Sequence, residues 1–362
     1  MTRAVKVRDL TIGGGAPVVV QGMTKGDTRD VQGTLDEIAR YQEVGAEVVR
    51  VAVPDMEAAQ AVGPIVKGSR LPIVADIHFD YRLALEVLRQ GVDKLRLNPG
   101  NIGDASRVAT VVTEAKARGV PIRIGVNAGS LEKTLKMDLG RTAEALVKSA
   151  MKHVRILEDH DFYDIVISLK ASDVPTTLAA YRLMAKTADY PLHVGLTEAG
   201  ASLGGTVKSA VGIGTLLAEG IGDTIRVSMT GPGEEEIRVA WEILKALKLR
   251  ERGVDIVACP TCGRIQFDMW PVVNELEKRL ASIPETLTVA IMGCAVNGPG
   301  EAKDAKIGIA GGKHMGLLYR DGQIVRRVEQ DQMVEEVWAE VQDVLREART
   351  GAAAVEGDHA SD

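Results

Sequence analysis

The chain has 362 residues, 45% of them hydrophobic, with a formal net charge of −6. That length exceeds one typical core, so a large domain followed by a small one is expected. The acidic balance argues against general nucleic-acid or membrane-surface binding. Aromatics at 3% leave little stacking surface for single strands, and no run approaches the roughly 18 apolar residues of a membrane helix.

From about residue 17 to 249, short β-branched runs alternate with longer amphipathic stretches. The runs fall at 18–22, 48–53, 73–77, 94–98, 122–126, 165–169, 192–196 and 224–228. Helical patterns lie at 34–44, 81–89, 105–118, 143–157, 176–187, 207–218 and 234–247. Eight such units match an α/β fold of the (β/α)8 TIM-like barrel type. A doubly wound sheet is the competing arrangement and usually has fewer strands. The paired glycines Gly204-Gly205 and Gly212-Ile-Gly214 lack nucleotide-loop spacing and read as helix–loop features.

After Arg252-Gly253 the pattern changes. Strands are expected at 256–259, 287–292 and 306–309, and helices at 272–280 and 334–346. The runs 316–320 and 324–328 flank Asp321-Gly322, a strong hairpin signal. This gives a barrel over 1–252 and a small α+β domain over 253–348. The tail 349–362, rich in Ala, Gly and Asp, is expected to be disordered.

Polar residues recur where the barrel strands end: Arg50; Asp76 and His78; Arg96 and Asn98; Arg123 and Asn127; Lys170; Glu198; Arg226 and Ser228. In such barrels the C-terminal strand ends build the active site. Five cations converging on one mouth would repel one another, so an anionic ligand, a phosphate or diphosphate, is the simplest explanation. The competing reading pairs each cation with a nearby carboxylate. His78 reads equally as structural or catalytic. Glu198 reads as an acid or as a cap.

All three cysteines fall in the small domain, in Cys259-Pro-Thr-Cys262-Gly-Arg and Met-Gly-Cys294-Ala-Val-Asn-Gly-Pro-Gly-Glu301. Their odd number and an N-terminus without an apolar signal core fit a reducing cytoplasm. Three thiolates make an incomplete four-ligand set. Zinc would need His314; an iron–sulfur cluster would need an oxygen ligand, for which Glu301 is the candidate.

These two cysteine segments resemble the 4-hydroxy-3-methylbut-2-enyl diphosphate synthase family. Ala-Asp-Ile-His-Phe, Leu-Arg-Leu-Asn-Pro-Gly-Asn-Ile-Gly, Gly-Val-Asn-Ala-Gly-Ser-Leu-Glu and Leu-Thr-Glu-Ala-Gly resemble it as well. A small departure is Gln-Gly-Met near the start, where Gln-Ser-Met is commoner. The resemblance implies a barrel followed by a ferredoxin- or sulfite-reductase-like domain, in the compact bacterial form. It implies a [4Fe-4S] cluster held by Cys259, Cys262, Cys294 and a replaceable Glu301. It implies 2-C-methyl-D-erythritol 2,4-cyclodiphosphate as substrate, held by Arg50, Arg96, Arg123, Lys170 and Arg226. Asp76, His78, Asn98, Asn127 and Ser228 would complete that set, and Asn297 would meet the substrate at the cluster face. Glu198, with His78, would protonate the departing hydroxyl. Flavodoxin or ferredoxin would donate electrons to a cytoplasmic homodimer in which the barrel of one chain faces the cluster domain of the other. Two rivals are a dihydropteroate-synthase-like barrel with a structural zinc domain and a non-catalytic iron–sulfur sensor.

Overall fold

The computed structural model describes residues 1–131, 133–313 and 315–358. They form two compact units, Met1–Glu251 and Arg252–Asp362. Among the described residues no helix is long and apolar enough to cross a membrane.

The first unit opens with an antiparallel hairpin of β1 (Val5–Val7) and β2 (Leu10–Ile12). The barrel strands follow: β3 (Val19–Met23), β4 (Val48–Val53), β5 (Ile73–Ile77) and β6 (Lys94–Arg96). Then come β7 (Ile122–Asn127), β8 (Ile165–Lys170), β9 (His193–Val194) and β10 (Thr224–Ile225). They pair in parallel in the order β8-β7-β6-β5-β4-β3-β10-β9. A parallel bridge between Ile167 and Leu192 joins the two ends, so the sheet closes into a TIM barrel. Val- and Ile-rich strands suit this, because each is covered by side chains inside and helices outside.

The helices are α1 (Val31–Glu43), α2 (Met56–Gly68), α3 (Tyr81–Arg89), α4 (Ala105–Arg118) and α5 (Lys133–Leu139). The rest are α6 (Ala143–Glu158), α7 (Val174–Thr187), α8 (Ser202–Ala218) and α9 (Gly233–Ala246). Asp30, Asp55, Asp80, Asp104 and Asp173 each cap a helix start by accepting backbone N–H groups. These capped N-termini follow the C-terminal strand ends, so their positive dipole ends lie around the mouth.

The opposite end is plugged. Val5, Val7 and Ile12 of the hairpin pack against Val19, Val48, Val74 and Val166, the first inward layer of four strands. Arg8 fastens the hairpin through a 2.9 Å ion pair to Asp93. The C-terminal end is lined by a polar cavity.

The fold departs from the sequence reading in several places. Helix α2 was not expected, because Gly63 and Pro64 interrupt its pattern. The hairpin strands span three residues each, too few for a periodic signal. Helix α8 starts at Ser202, before the expected 207, so Gly204 and Gly205 lie in its first turn, while Gly212 and Gly214 lie within the expected helix. Close packing explains part of this: a Cβ on Gly212 would stand 2.5 Å from Leu196, and one on Gly205 2.8 Å from the Gly200 backbone.

The second unit has a five-stranded sheet of β11 (Val254–Ala258), β12 (Leu287–Met292), β13 (Ile307–Gly312), β14 (Met315–Arg320) and β15 (Gln323–Glu329). The first three strands are parallel and the last two antiparallel. The expected Asp321-Gly322 hairpin forms, both residues taking positive φ (50° and 76°). Helices α10 (Met269–Leu280) and α12 (Met333–Asp358) cover one face, burying Leu276, Val289, Ile291, Ile309, Val337 and Val341. The short α11 (Gly298–Asp304) packs Ala302 against Ala310 and Tyr319. Residues 349–358, expected to be disordered, instead continue α12. The alanine run at 352–354 has high helix propensity, and Arg349 pairs with Glu285 at 2.8 Å. Residues 359–362 lie outside the described residues.

Ile12 is fully buried in the barrel plug. Ile12→Ala is expected to cost the barrel about 2–5 kcal/mol, read as a lower urea midpoint, with anion binding at the far end unchanged.

Candidate active site

Strand alternation sends every second side chain inward. At the C-terminal end this gathers Arg50, Asp76, His78, Arg96, Arg123, Asn127, Lys170, Arg226 and Ser228 around one cavity, with Gly125, Ser168, Leu196 and Thr197. The register sets Asp76 beside Arg96, Arg96 beside Arg123, and Asn127 beside Lys170.

Asp76 is the hub. Arg96 Nη1 donates to its Oδ1 at 3.1 Å, Arg50 Nε stands 3.8 Å from Oδ2, and His78 Nε2 lies 3.5 Å away. Burial would raise this carboxyl, but Arg50, His78 and Arg96 outweigh burial and hold it well below the usual range. Arg96 Nη2 also donates to the Gly125 carbonyl at 2.9 Å. Arg226 has its own counter-charge in Glu236, 3.3 Å away. Glu236 is buried and also pairs with Lys25 at 3.2 Å and accepts the Met229 N–H.

Two cations are left over. Arg123 is 1% exposed, and its Nε and Nη1 have no partner. Burial, then Arg50 and Arg96, lower its pKa. Asp76 opposes them, and the guanidinium keeps its proton, so the position holds a buried charge that burial and its neighbours disfavour. Lys170 is buried too; burial and then Arg226 and Arg123 push it well down. The carboxylate-pairing reading therefore holds for Arg50, Arg96 and Arg226 and fails for Arg123 and Lys170 among the described residues.

The remaining expected residues take other positions. Asn98 spends its amide on Gly125, donating to the carbonyl at 3.0 Å and accepting the N–H at 2.9 Å. It braces two strands instead of facing the cavity. His78 is half exposed, bonded toward Arg96 at 3.1 Å, and its ring lies 5.9 Å from that of exposed Phe79. Glu198 is exposed on the loop after β9, outside the lining, with φ 56°. That left-handed conformation is costly for a residue with a Cβ. Sequence reasoning missed buried Lys94, Gln21, His193 and Glu236. Lys94 shares the alternation of Arg96, two residues on along β6, which is the signal that reveals it.

In the second unit, β11 and β12 are parallel neighbours with Ala258 beside Ile291. Cys259 and Cys294 follow them and so emerge at the same sheet edge. Cys259 Sγ accepts the Gly293 N–H at 3.2 Å and lies 3.5 Å from Met269 Sδ. The backbone and side chain of Arg264 lower the Cys262 thiol. The Asn297 and Val296 N–H groups lower the Cys294 thiol. The charges of all three cysteines act on Arg264. Glu301 sits exposed in the first turn of α11, and Asn297 is that helix's N-cap residue. Among the described residues, no group of three or more His, Cys, Asp and Glu stands at metal-holding spacing. His314 lies outside the described residues.

Asp76→Asn leaves Arg50 and Arg96 without their shared counter-charge. It is expected to cost about 3–5 kcal/mol, read by thermal unfolding, and added sulfate is expected to recover part of the loss by replacing the charge.

A family model described as the GcpE TIM-barrel domain matches residues 2–241, and one described as the GcpE protein C-terminal domain matches 255–343. The chain is 58% identical over 347 residues to a Geobacter sulfurreducens protein named 4-hydroxy-3-methylbut-2-en-1-yl diphosphate synthase (flavodoxin), covering 96% of this chain and 98% of that one. It is 54% identical over 347 residues to the Geobacillus thermodenitrificans protein of the same name, covering 96% and 93%. Among solved structures it is similar to Yersinia pestis dihydropteroate synthase, at 12% identity and TM-score 0.48, covering 68% of this chain and 98% of that one. The family matches span both units, so the alternative of a dihydropteroate-synthase-like barrel with a zinc domain is not favoured. The chain belongs to the GcpE family, that of the 4-hydroxy-3-methylbut-2-en-1-yl diphosphate synthases.

Proposed function

We propose that the chain converts 2-C-methyl-D-erythritol 2,4-cyclodiphosphate to 4-hydroxy-3-methylbut-2-enyl diphosphate, taking two electrons from flavodoxin, with ferredoxin as the other candidate donor. The observation that carries this reading is the barrel mouth, where Arg123 and Lys170 are buried without an ion-pair partner among the described residues, in a chain whose relatives bear that name. The reaction breaks the C2–O bond to the diphosphate and expels the C3 hydroxyl as water. Two electrons and one proton enter, and the freed diphosphate gains one negative charge.

Each residue then has a task. Arg123 and Lys170 take the diphosphate oxygens directly, and Arg50, Arg96 and Arg226 add charge from positions fixed by Asp76 and Glu236. Fixed donors in a dry site stabilise the charge that the diphosphate gains on leaving. Ser228 and Asn127 orient the ring. Glu198, with His78, delivers the proton to the departing hydroxyl.

A [4Fe-4S] cluster held by Cys259, Cys262, Cys294 and Glu301 would supply the electrons and a Lewis-acidic iron. The cysteines suit such a group. Two of them are shifted toward thiolate, and Cys259 Sγ already accepts a backbone N–H, the kind of bond that tunes a cluster sulfur. Asn297 would reach the substrate from this loop. A homodimer in which the barrel of one chain faces its partner's cluster domain completes the site. An exposed apolar row on α8, Leu203, Val207 and Val211, supports self-association. The protein is read as cytoplasmic.

Anaerobic purification should give a band near roughly 400 nm and about four irons per chain. A colourless protein holding one zinc would overturn the redox mechanism. Cys294→Ser is expected to lose band and turnover together; retained colour and turnover would remove Cys294 as a ligand. Glu198→Gln is expected to keep cyclodiphosphate affinity while kcat falls about 100-fold. Near-normal kcat would take Glu198 out of the proton path.

A further inference from the structure

Behind the arginines of the mouth lies an amine that the substrate site leaves unused. Lys94 stands two residues before Arg96 on β6 and is fully buried. Its Nζ has no hydrogen-bond partner. Gln21 on β3 and His193 on β9 are buried too, and the Nε2 of each is also unpartnered. The charges acting on Lys94 are Arg123 on β7 and Arg50 on β4, and Lys94 acts in turn on His193. On neighbouring β5, Asp76 is taken up by Arg50, Arg96 and His78.

An ammonium in that position is buried without a protein acceptor and is repelled by two guanidiniums. Burial first, then Arg123 and Arg50, bring Lys94 down to about 7. His193, lowered by burial and by the same cations, stays neutral and adds no charge. The two guanidiniums that repel Lys94 also line the mouth, where an anion would sit against them. An anion there cancels their repulsion and adds attraction through a low-dielectric interior.

We infer that Lys94 is a concealed further member of the anion site, a buried amine without a partner that gains a proton above neutral pH when an anion sits against Arg50 and Arg123, so that anion binding takes up a proton. This rests on the reading of the mouth as the anion site. The sign follows from linkage. The bound state holds Lys94 at a higher pKa than the free state, so affinity rises as pH falls through the interval between the two values. Below the free-state value of about 7 it levels off.

Inorganic sulfate is the probe, because its own charge is constant at neutral and alkaline pH. The full chain is titrated with sulfate between about pH 7 and 9, as wild type and as Lys94→Met. One proton taken up makes affinity change by up to tenfold per pH unit. Lys170 meets the anion directly and contributes its own slope to both proteins. The wild type is therefore expected to bind more tightly than Lys94→Met near neutrality and to converge with it at alkaline pH. A purely structural role would shift the variant equally at every pH. Lys94→Met removes a buried amine without a partner and is expected to melt no lower than the wild type. Should it fail to fold, proton uptake on mixing unbuffered wild type with sulfate gives a second readout, and zero uptake overturns the inference. Equal pH slopes in the two proteins overturn Lys94 alone. No sulfate binding at any pH overturns the mouth as the anion site.

Discussion

The interior of the barrel holds more positive charge than its own carboxylates can match, and the rest of the structure is arranged around that constraint. Arg50, Arg96, Arg123, Lys170 and Arg226 all turn into one cavity. Two carboxylates answer them, Asp76 for Arg50 and Arg96, and Glu236 for Arg226. Each unpaired buried ion costs several kcal/mol even after relaxation. A fold bears that cost only where a ligand relieves it or where the remaining core is large. Here the plugged end supplies an apolar layer of strand valines under the hairpin. The ring of capped helix starts adds more positive potential at the open end. Both features point the barrel toward an anion at its C-terminal mouth.

The second unit meets a different demand, that of bringing Cys259 and Cys294 out at one sheet edge. Parallel pairing does the placing: β11 and β12 run side by side, so the residues that follow them emerge together. Glycine does the rest at one position. A Cβ on Gly293 would stand 2.4 Å from Met269 Sδ, so only glycine lets this strand end close on α10. That approach is what brings the Gly293 N–H to Cys259 Sγ. The thiols are tuned by backbone N–H groups and Arg264 instead of by neighbouring carboxylates or histidines.

Much of this was legible in the sequence because period-two alternation and β-branched runs are local. The strands from β3 onward, the hairpin at Asp321-Gly322 and the nine mouth residues followed from spacing. What stayed hidden depends on contacts distant in the chain. Asn98 occupies an inward strand-end position like its neighbours, but only the fold shows that its amide is spent on Gly125, across from it on β7. Glu236 sits in a run of three glutamates that reads as an exposed helix start, yet it is buried against Arg226 and Lys25. Gly204-Gly205 reads as a helix–loop junction, yet both lie inside α8, with Gly205 packed against the Gly200 backbone.

On the proposed reading of the mouth as an anion site, the placement of the two carboxylates decides what kind of anion it favours. Asp76 and Glu236 engage three of the arginines, fixing them as rigid donors and moderating their charge. Arg123 and Lys170 are left with no such partner, and Lys94 lies behind Arg123 with none either. A site built only to hold a cyclic diphosphate would need no excess beyond that anion's charge. Surplus positive charge that is already oriented is of most use to a species more negative than the substrate, which is what the opened diphosphate becomes. Preorganised charge of this kind stabilises a reaction in proportion to the charge that develops, with no reorganisation at the moment of bond breaking. The unbalanced interior, a burden on folding, is by this argument the part of the structure that favours ring opening over simple binding.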